Sequence, residues 1–311
     1  MSRAYVFPGQ GAQTVGMGKE LADAYPAAKA VFDEVDAALG EKLSDLIWNG
    51  DADTLTLTQN AQPALMACSL AAVKALEAEG VAIADGAFVA GHSLGEYSAL
   101  AAAGALAIGD TARLLRLRGQ AMQAAVPVGE GAMAAVLGLD LAAVTEVAEA
   151  AAQGQVCQAA NDNDPAQVVV SGHKDAVARA VDLAKEKGAK RAVLLPVSAP
   201  FHCALMQPAA DAMAAALADV TIAAPVVPLV ANVTAAACSD PKAIRQQLVT
   251  QVTGAVRWRE SVEYMAAQGV TEIWELGAGK ALSGMVRRIA RSVACTAIAT
   301  PQDIQAALGK G

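Results

Sequence analysis

The chain has 311 residues, 55% of them hydrophobic, so it reads as one large globular domain, or a domain carrying a smaller insertion, and not as a disordered chain. Its net charge of -8 argues against generic nucleic-acid binding, which needs a basic surface for phosphate. The longest nearly uncharged stretch, Tyr97 to Gly109, is too short to span a bilayer, and five scattered cysteines without a CxxC pair fit neither a disulfide framework nor a zinc site, which leaves a reducing cytoplasm as the expected setting.

In chain order, MSRAYVFPGQG has only a few apolar residues before Pro8 and Gly9, so it lacks the apolar segment of a secretory signal and reads as a first buried strand. Short apolar runs then alternate with amphipathic stretches, the pattern of an α/β sheet flanked by helices. AYVFPG, GAFVAGHS, VPLVANV and TEIWELG are predicted strands; Thr14 to Leu39, Gln62 to Glu79, Glu96 to Ala107 and Asp110 to Ala125 are predicted helices. The rhythm changes after Pro127. GAMAAVLGL, AAVTEVAEAAA, VCQAAN, AQVVVSG, DAVARAVDLAKEKG and AKRAVLLPV give strand, helix, strand, strand, helix, strand, which is the ferredoxin-like order. The expectation is a discontinuous large α/β domain, residues 1–127 plus 198–311, with a small domain of residues 128–197 inserted. After Thr300 a weak helix is predicted.

Gly91-His92-Ser93-Leu94-Gly95 matches G-x-S-x-G and lies between a predicted buried strand and a predicted helix beginning at Glu96. Such a strand-to-helix elbow holds its central residue in a strained backbone conformation, leaves room only for small flanking residues, and exposes the serine oxygen at a helix N-terminus. Ser93 is therefore the candidate nucleophile. A serine hydroxyl needs a base, and histidine is the usual one near neutral pH. There are three histidines. His92 neighbours Ser93, and adjacent side chains at a strand end diverge, so it reads as packing beneath the elbow. His173 opens a helix of the insertion, where a surface or capping role is the default. By elimination the base is His202, placed where the chain leaves the insertion. Cys203 beside it reads as an inert buried thiol. No acid between Ser93 and His202 stands out as a triad member, so a dyad whose histidine is oriented by a backbone carbonyl or an amide is expected.

Two further features stay open on the residues alone. The turn FPGQGAQ does not fit G-x-G-x-x-G; it is either a plain tight turn or one that sets the Gln10 N–H beside the elbow, completing an oxyanion hole with the Leu94 N–H. Arg116 and Arg118 share a predicted helix and point in nearly opposite directions at 100° per residue, so one of them points inward. A buried guanidinium requires an anion, supplied either by a structural salt bridge or by a substrate carboxylate.

Taken in order, FPGQGAQ, TQNAQPAL, GHSLGEYSAL, RLRGQAMQ, ANDNDPAQVVVSG, LPVSAPFHCALM and ELGAGKALSG resemble the malonyl-CoA:acyl carrier protein transacylase family over nearly the whole chain. The resemblance implies a hydrolase-like large domain with a parallel sheet core and a ferredoxin-like inserted domain. It also implies Ser93 as the acylated residue, His202 as the base, Gln10 and Leu94 amides as oxyanion donors, and Arg118 as the ligand of the malonyl carboxylate. Gln251 corresponds to the residue whose carbonyl orients the histidine, Asn161 to a residue near the site, and Phe201 to a bulky aromatic that disfavours a branched acyl group.

Malonyl-CoA and acyl carrier protein are the implied substrates, for fatty acid or polyketide synthesis, with no metal and no cofactor. A monomer is expected. Because carrier proteins of this family are acidic, Arg287, Arg288 and Arg291 are one candidate docking cluster, and Lys185, Lys187, Lys190 and Arg191 are another. A serine carboxylesterase or patatin-like hydrolase is the rival reading, since it would use the same elbow; a non-catalytic binding subunit is a second.

Overall fold

The first predicted strand, β1 (Arg3–Phe7), is fully buried from Ala4 to Phe7, and an apolar run buried on both faces belongs in the middle of a parallel sheet. The computed structural model, which describes residues 2–310, places it there. Its neighbours are β2 (Phe88–Gly91) on one side and β9 (Glu272–Leu276) on the other, both parallel. The sheet continues outward through β10 (Ala294–Ile298) beyond β9, and through β7 (Leu229–Val230) beyond β2. It ends in a short antiparallel strand, β8 (Ala237–Cys238). Tyr5 and Phe7 pack on one side with the helices Pro26–Leu39, Thr58–Ala78 and Ile108–Ala124, while Ala4 and Val6 pack on the other with Trp258, Val262 and Val286.

Phe7 is in register with Gly91, so β1 and β2 stop at one level and their following turns leave the sheet side by side. This carboxyl edge is where open parallel sheets build their sites.

The inserted segment forms a second sheet in the order β4-β5-β3-β6, all antiparallel: β3 (Gly131–Leu137), β4 (Cys157–Asp164), β5 (Gln167–His173) and β6 (Arg191–Leu194). Helices Leu141–Ala152 and Lys174–Glu186 cover one face through an apolar core of Val136, Val144, Val168 and Val177. This is the ferredoxin-like arrangement. The other face carries Met133, Ala135, Ala160 and Val169, with Phe201 packed against them. β4 also bridges to the large domain: Val256 N–H donates to Ala160 O and Asp162 N–H donates to Val256 O, both at 2.9 Å.

The α/β class and the inserted ferredoxin-like domain agree with the sequence reading, and several boundaries differ. The stretch Thr14 to Leu39 holds two helices, Lys19–Ala24 and Pro26–Leu39, because Tyr25 precedes proline and is extended, which ends the first. The helix expected from Glu96 to Ala107 stops at Ala102, before Gly104 in the left-handed region. The helix expected from Gln62 begins at Thr58 and runs through Pro63, its sixth residue, which has no N–H for the usual bond four residues back. Only two residues of VPLVANV pair as strand, and β10 was not among the predicted strands. Among the described residues no helix is long and apolar enough to cross a membrane.

Candidate active site

β2 ends at Gly91 and a helix begins at Gly95, leaving Ser93 at the apex with φ 54°. The tightness of this turn dictates its glycines. A Cβ on Gly91 would lie 2.0 Å from the Gly95 carbonyl group, and one on Gly95 would lie 2.2 Å from Phe7 O. A left-handed serine costs about 1–3 kcal/mol and persists only where its surroundings hold it. Asn232 does so: its Oδ1 accepts the Ser93 N–H at 2.9 Å and its Nδ2 donates to Gly91 O at 2.7 Å.

His202 is also left-handed, with φ 58°, and is 3% exposed. Its Nε2 lies 2.8 Å from Ser93 Oγ, while its Nδ1 lies 2.9 Å from Gln251 O and 3.2 Å from Gly254 O. Carbonyl oxygens only accept, so Nδ1 carries the proton and Nε2 presents its lone pair to the serine hydroxyl. Burial, and after it the charge of Arg118, pushes the imidazole pKa down to about 3, so the ring is neutral at neutral pH. Among the described residues no carboxylate bonds to it, and two main-chain carbonyls occupy that place.

Arg118 settles which arginine turns inward. It is 1% exposed and donates to Gln62 Oε1 at 2.7 Å, Gln251 Oε1 at 2.9 Å and Ser93 Oγ at 3.1 Å. Every one of these acceptors is neutral, and among the described residues no carboxylate forms an ion pair with it. Arg116, in contrast, is committed to Asn60 and to the Glu41 carboxylate. A guanidinium this deeply buried keeps its charge only at a desolvation cost, which an added carboxylate would offset.

Ser93, His202, Arg118, Gln10, Asn161 and Phe201 line one cleft of about 370 Å³ between the two domains, with Leu94 at its floor and Met133 of β3 facing them. The Gln10 and Leu94 amides donate to no group among the described residues, so both are free for an oxyanion. The first turn is wedged against the elbow, since a Cβ on Gly9 would lie 2.8 Å from His92 O. The Gln10 side chain is tied down by Thr58 Oγ1 at 2.9 Å, which in turn accepts from Gln62 Nε2 at 3.0 Å. His92 makes no hydrogen bond to the serine oxygen among the described residues and bonds Asn163 Oδ1 through Nε2 at 2.8 Å, against the Trp258 ring. His173 serves the small domain, its Nδ1 accepting the Val156 N–H at 2.9 Å. The Cys203 thiol donates to Pro200 O at 3.2 Å and burial raises its pKa.

The residues 4–298 match the family model described as an acyl transferase domain. The chain is 49% identical to the malonyl CoA-acyl carrier protein transacylase of Escherichia coli strain K12 over 305 residues, 98% of each chain. The chain belongs to the malonyl CoA-acyl carrier protein transacylase family. Among solved structures of this family, the acyl-carrier-protein-S-malonyltransferase from Bartonella henselae is 57% identical with a TM-score of 0.97, covering 99% of each chain. A type II PKS acyl-carrier protein in complex with its malonyl-transacylase contains a chain 42% identical to this one, with a TM-score of 0.96 over 100% of both.

Three polar residues at the site, Gln62, Glu96 and Asn232, and the Gly254 carbonyl carried no role in the sequence reading. Gln62 and Glu96 lie inside the quoted stretches TQNAQPAL and GHSLGEYSAL, whereas Asn232 and Gly254 stand in no chemical pattern and reach the site only through folding. The arginine cluster lies outside the cleft. Arg287, Arg288 and Arg291 are all exposed, and Arg288 Nε also lies 2.7 Å from the buried Asp164 carboxylate, which ties the large domain to β4.

Proposed function

We propose that this protein transfers the malonyl group of malonyl-CoA to the phosphopantetheine thiol of an acyl carrier protein through a malonyl ester on Ser93, supplying extender units for fatty acid synthesis. The observation that carries this reading is a serine hydroxyl shared between a neutral His202 and a buried Arg118 that has no carboxylate partner among the described residues. The family relatives point to the same reaction by name.

In the first half, His202 Nε2 takes the hydroxyl proton as Ser93 Oγ attacks the thioester carbonyl, and the oxyanion forms against the Gln10 and Leu94 amides. The imidazolium formed is stabilised by the Gln251 and Gly254 carbonyls. Collapse breaks the C–S bond and His202 returns the proton to the departing CoA thiolate. In the second half, the carrier thiol gives its proton to His202, attacks the ester, and Ser93 leaves with that proton restored. Every proton moves between Ser93, His202 and the two thiols, so the scheme calls on no metal or redox cofactor. Arg118 Nη2 already reaches Ser93 Oγ, which places its guanidinium within range of a carboxylate two bonds beyond the ester carbonyl.

Further readings follow the same scheme. Asn161 and Phe201 bound the acyl end of the cleft. Arg287, Arg288 and Arg291 form the docking cluster for an acidic carrier, Arg288 while also bonded to Asp164. The chain acts as a monomer in the cytoplasm, a setting that suits five free cysteines, and divides at 127/128 and 197/198, close to where β3 begins and β6 ends. Intact mass after incubation with malonyl-CoA is expected to show one malonyl adduct, absent in Ser93→Ala. An adduct that persists in Ser93→Ala rejects this nucleophile. CoA release that depends on added carrier protein separates transfer from hydrolysis.

A further inference from the structure

Glu96 directly follows the elbow and is fully buried, yet it does not line the cleft and has no part in the scheme above. One of its oxygens, Oε2, accepts two hydrogen bonds, from the Asn232 N–H and from Gln251 Nε2, both at 2.9 Å. These two partners hold most of the reacting groups. Asn232 clamps the elbow, and Gln251 binds His202 through its main-chain carbonyl and Arg118 through its side chain.

A glutamine amide has a donor end and an acceptor end, and the neighbours of both decide which way it faces. Gln251 Nε2 turns to Glu96 and also reaches Ser93 O at 3.0 Å and Asn232 Oδ1 at 3.2 Å. Its Oε1 is thereby left facing Arg118 Nη2. In the reversed orientation the amide NH2 would meet guanidinium donors while the carbonyl met three oxygen acceptors, and both contacts repel. Glu96 can act this way in either protonation state. Burial raises its carboxyl pKa to about 7 against the opposing pull of its hydrogen bonds and Arg118, and a proton there sits on Oε1, which has no partner among the described residues, leaving Oε2 an acceptor.

We propose that Glu96 is a positioning residue that, as the nearest and only carboxylate of the three acceptors around Gln251 Nε2, holds the orientation of the Gln251 amide and so aligns the Arg118 guanidinium for the carboxylate of the acyl donor. This rests on the malonyl-transfer reading above. A residue that served only to fill space could be exchanged for methionine, of similar length and with only a weakly accepting sulfur, and leave selectivity alone.

The test compares kcat and KM for malonyl-CoA and acetyl-CoA in the native chain and in Glu96→Met, Glu96→Gln and Glu96→Asp. Glu96→Met is expected to lower the malonyl-to-acetyl ratio of kcat/KM by about tenfold or more, chiefly by raising KM for malonyl-CoA. Glu96→Gln puts a carbonyl oxygen where Oε2 stands and is expected to restore most of the ratio. Glu96→Asp draws the acceptor back by one methylene and is expected to fall between; it replaces the methionine variant if that one does not fold. A native ratio in Glu96→Met, or in Glu96→Asp where it stands in, overturns the proposal, as does a glutamine variant as impaired as the methionine one. The native chain keeps the two readings apart. If it forms no malonyl adduct, the function reading itself fails; if it does and the variants keep its ratio, only the role of Glu96 fails.

Discussion

The floor and the roof of the cleft are built on opposite principles. The floor, from the large domain, carries Ser93, His202 and Arg118, backed from beneath by Gln251, Asn232 and Glu96 in one connected network of named hydrogen bonds, and Ser93 and His202 have left-handed backbones. The roof, contributed by β3 and the chain re-entering the large domain, is apolar: Met133, Leu195, Val197 and Phe201 face the floor, and Asn161 is the polar exception. Fixed dipoles and charges are worth most where developing charge must be met without reorganisation, while apolar walls discriminate only by volume. The comparison teaches that changes to the floor act on the reaction and on recognition of charge, and changes to the roof act on size selectivity with smaller effect.

Removing the base should show the largest effect. His202→Ala is expected to lower kcat about 10²–10⁴-fold with the fold retained, measured as single-turnover CoA release; a loss below tenfold would place the base elsewhere on the floor. Next comes charge recognition. Arg118→Ala is expected to reduce kcat/KM for malonyl-CoA by about 10²–10³ while acetyl-CoA, which has no carboxylate to lose, changes far less; the underlying cost of about 3–5 kcal/mol is that of a charge buried without its partner. Equal losses for both donors would return Arg118 to a structural role. On the roof, Phe201→Ala should improve methylmalonyl-CoA relative to malonyl-CoA by about tenfold, the worth of one accommodated methyl at about 1–3 kcal/mol. An unchanged ratio there would show that the apolar wall does not read the branch.

The gentlest probe is pH. Because the folded His202 pKa is depressed to about 3 from 6.5, the acid limb of kcat/KM is expected well below pH 6.5. Stability follows by linkage. Between about 3 and 6.5 the unfolded chain binds a proton that the native imidazole refuses, so this group makes stability fall as pH falls through that window. Glu96 works in the opposite sense, since its raised pKa of about 7 lets the native state hold a proton that the unfolded chain has lost above 4.5, and its contribution falls as pH rises from 4.5 to 7. Thermal melts of Glu96→Gln should therefore lose less stability between pH 4.5 and 7 than the native chain, and a native-like slope would show that Glu96 is ionised throughout.

What the sequence by itself determined is local. Small residues around Ser93, a buried run before it and a helix after it define an elbow, and the closeness of Gly91 to the Gly95 backbone is a requirement that lies within five residues, whereas Gly95 must be small because Phe7 of β1 lies against it. The order of strands and helices in the insertion was legible for the same reason, as hydrophobic period is a property of neighbours along the chain. On the residues alone either Arg116 or Arg118 could turn inward, and the tertiary structure decided for Arg118; it also gave Gln251, expected to offer His202 its carbonyl, a second bond from its side chain to Arg118, and paired Arg288 with Asp164. It also brought Ser93 to within 2.8 Å of His202, 109 residues away, and recruited Asn232 and Glu96 to brace the site. Such contacts join residues with no shared local pattern; they arise where buried donors and acceptors from different segments must satisfy one another, and packing chooses the partners.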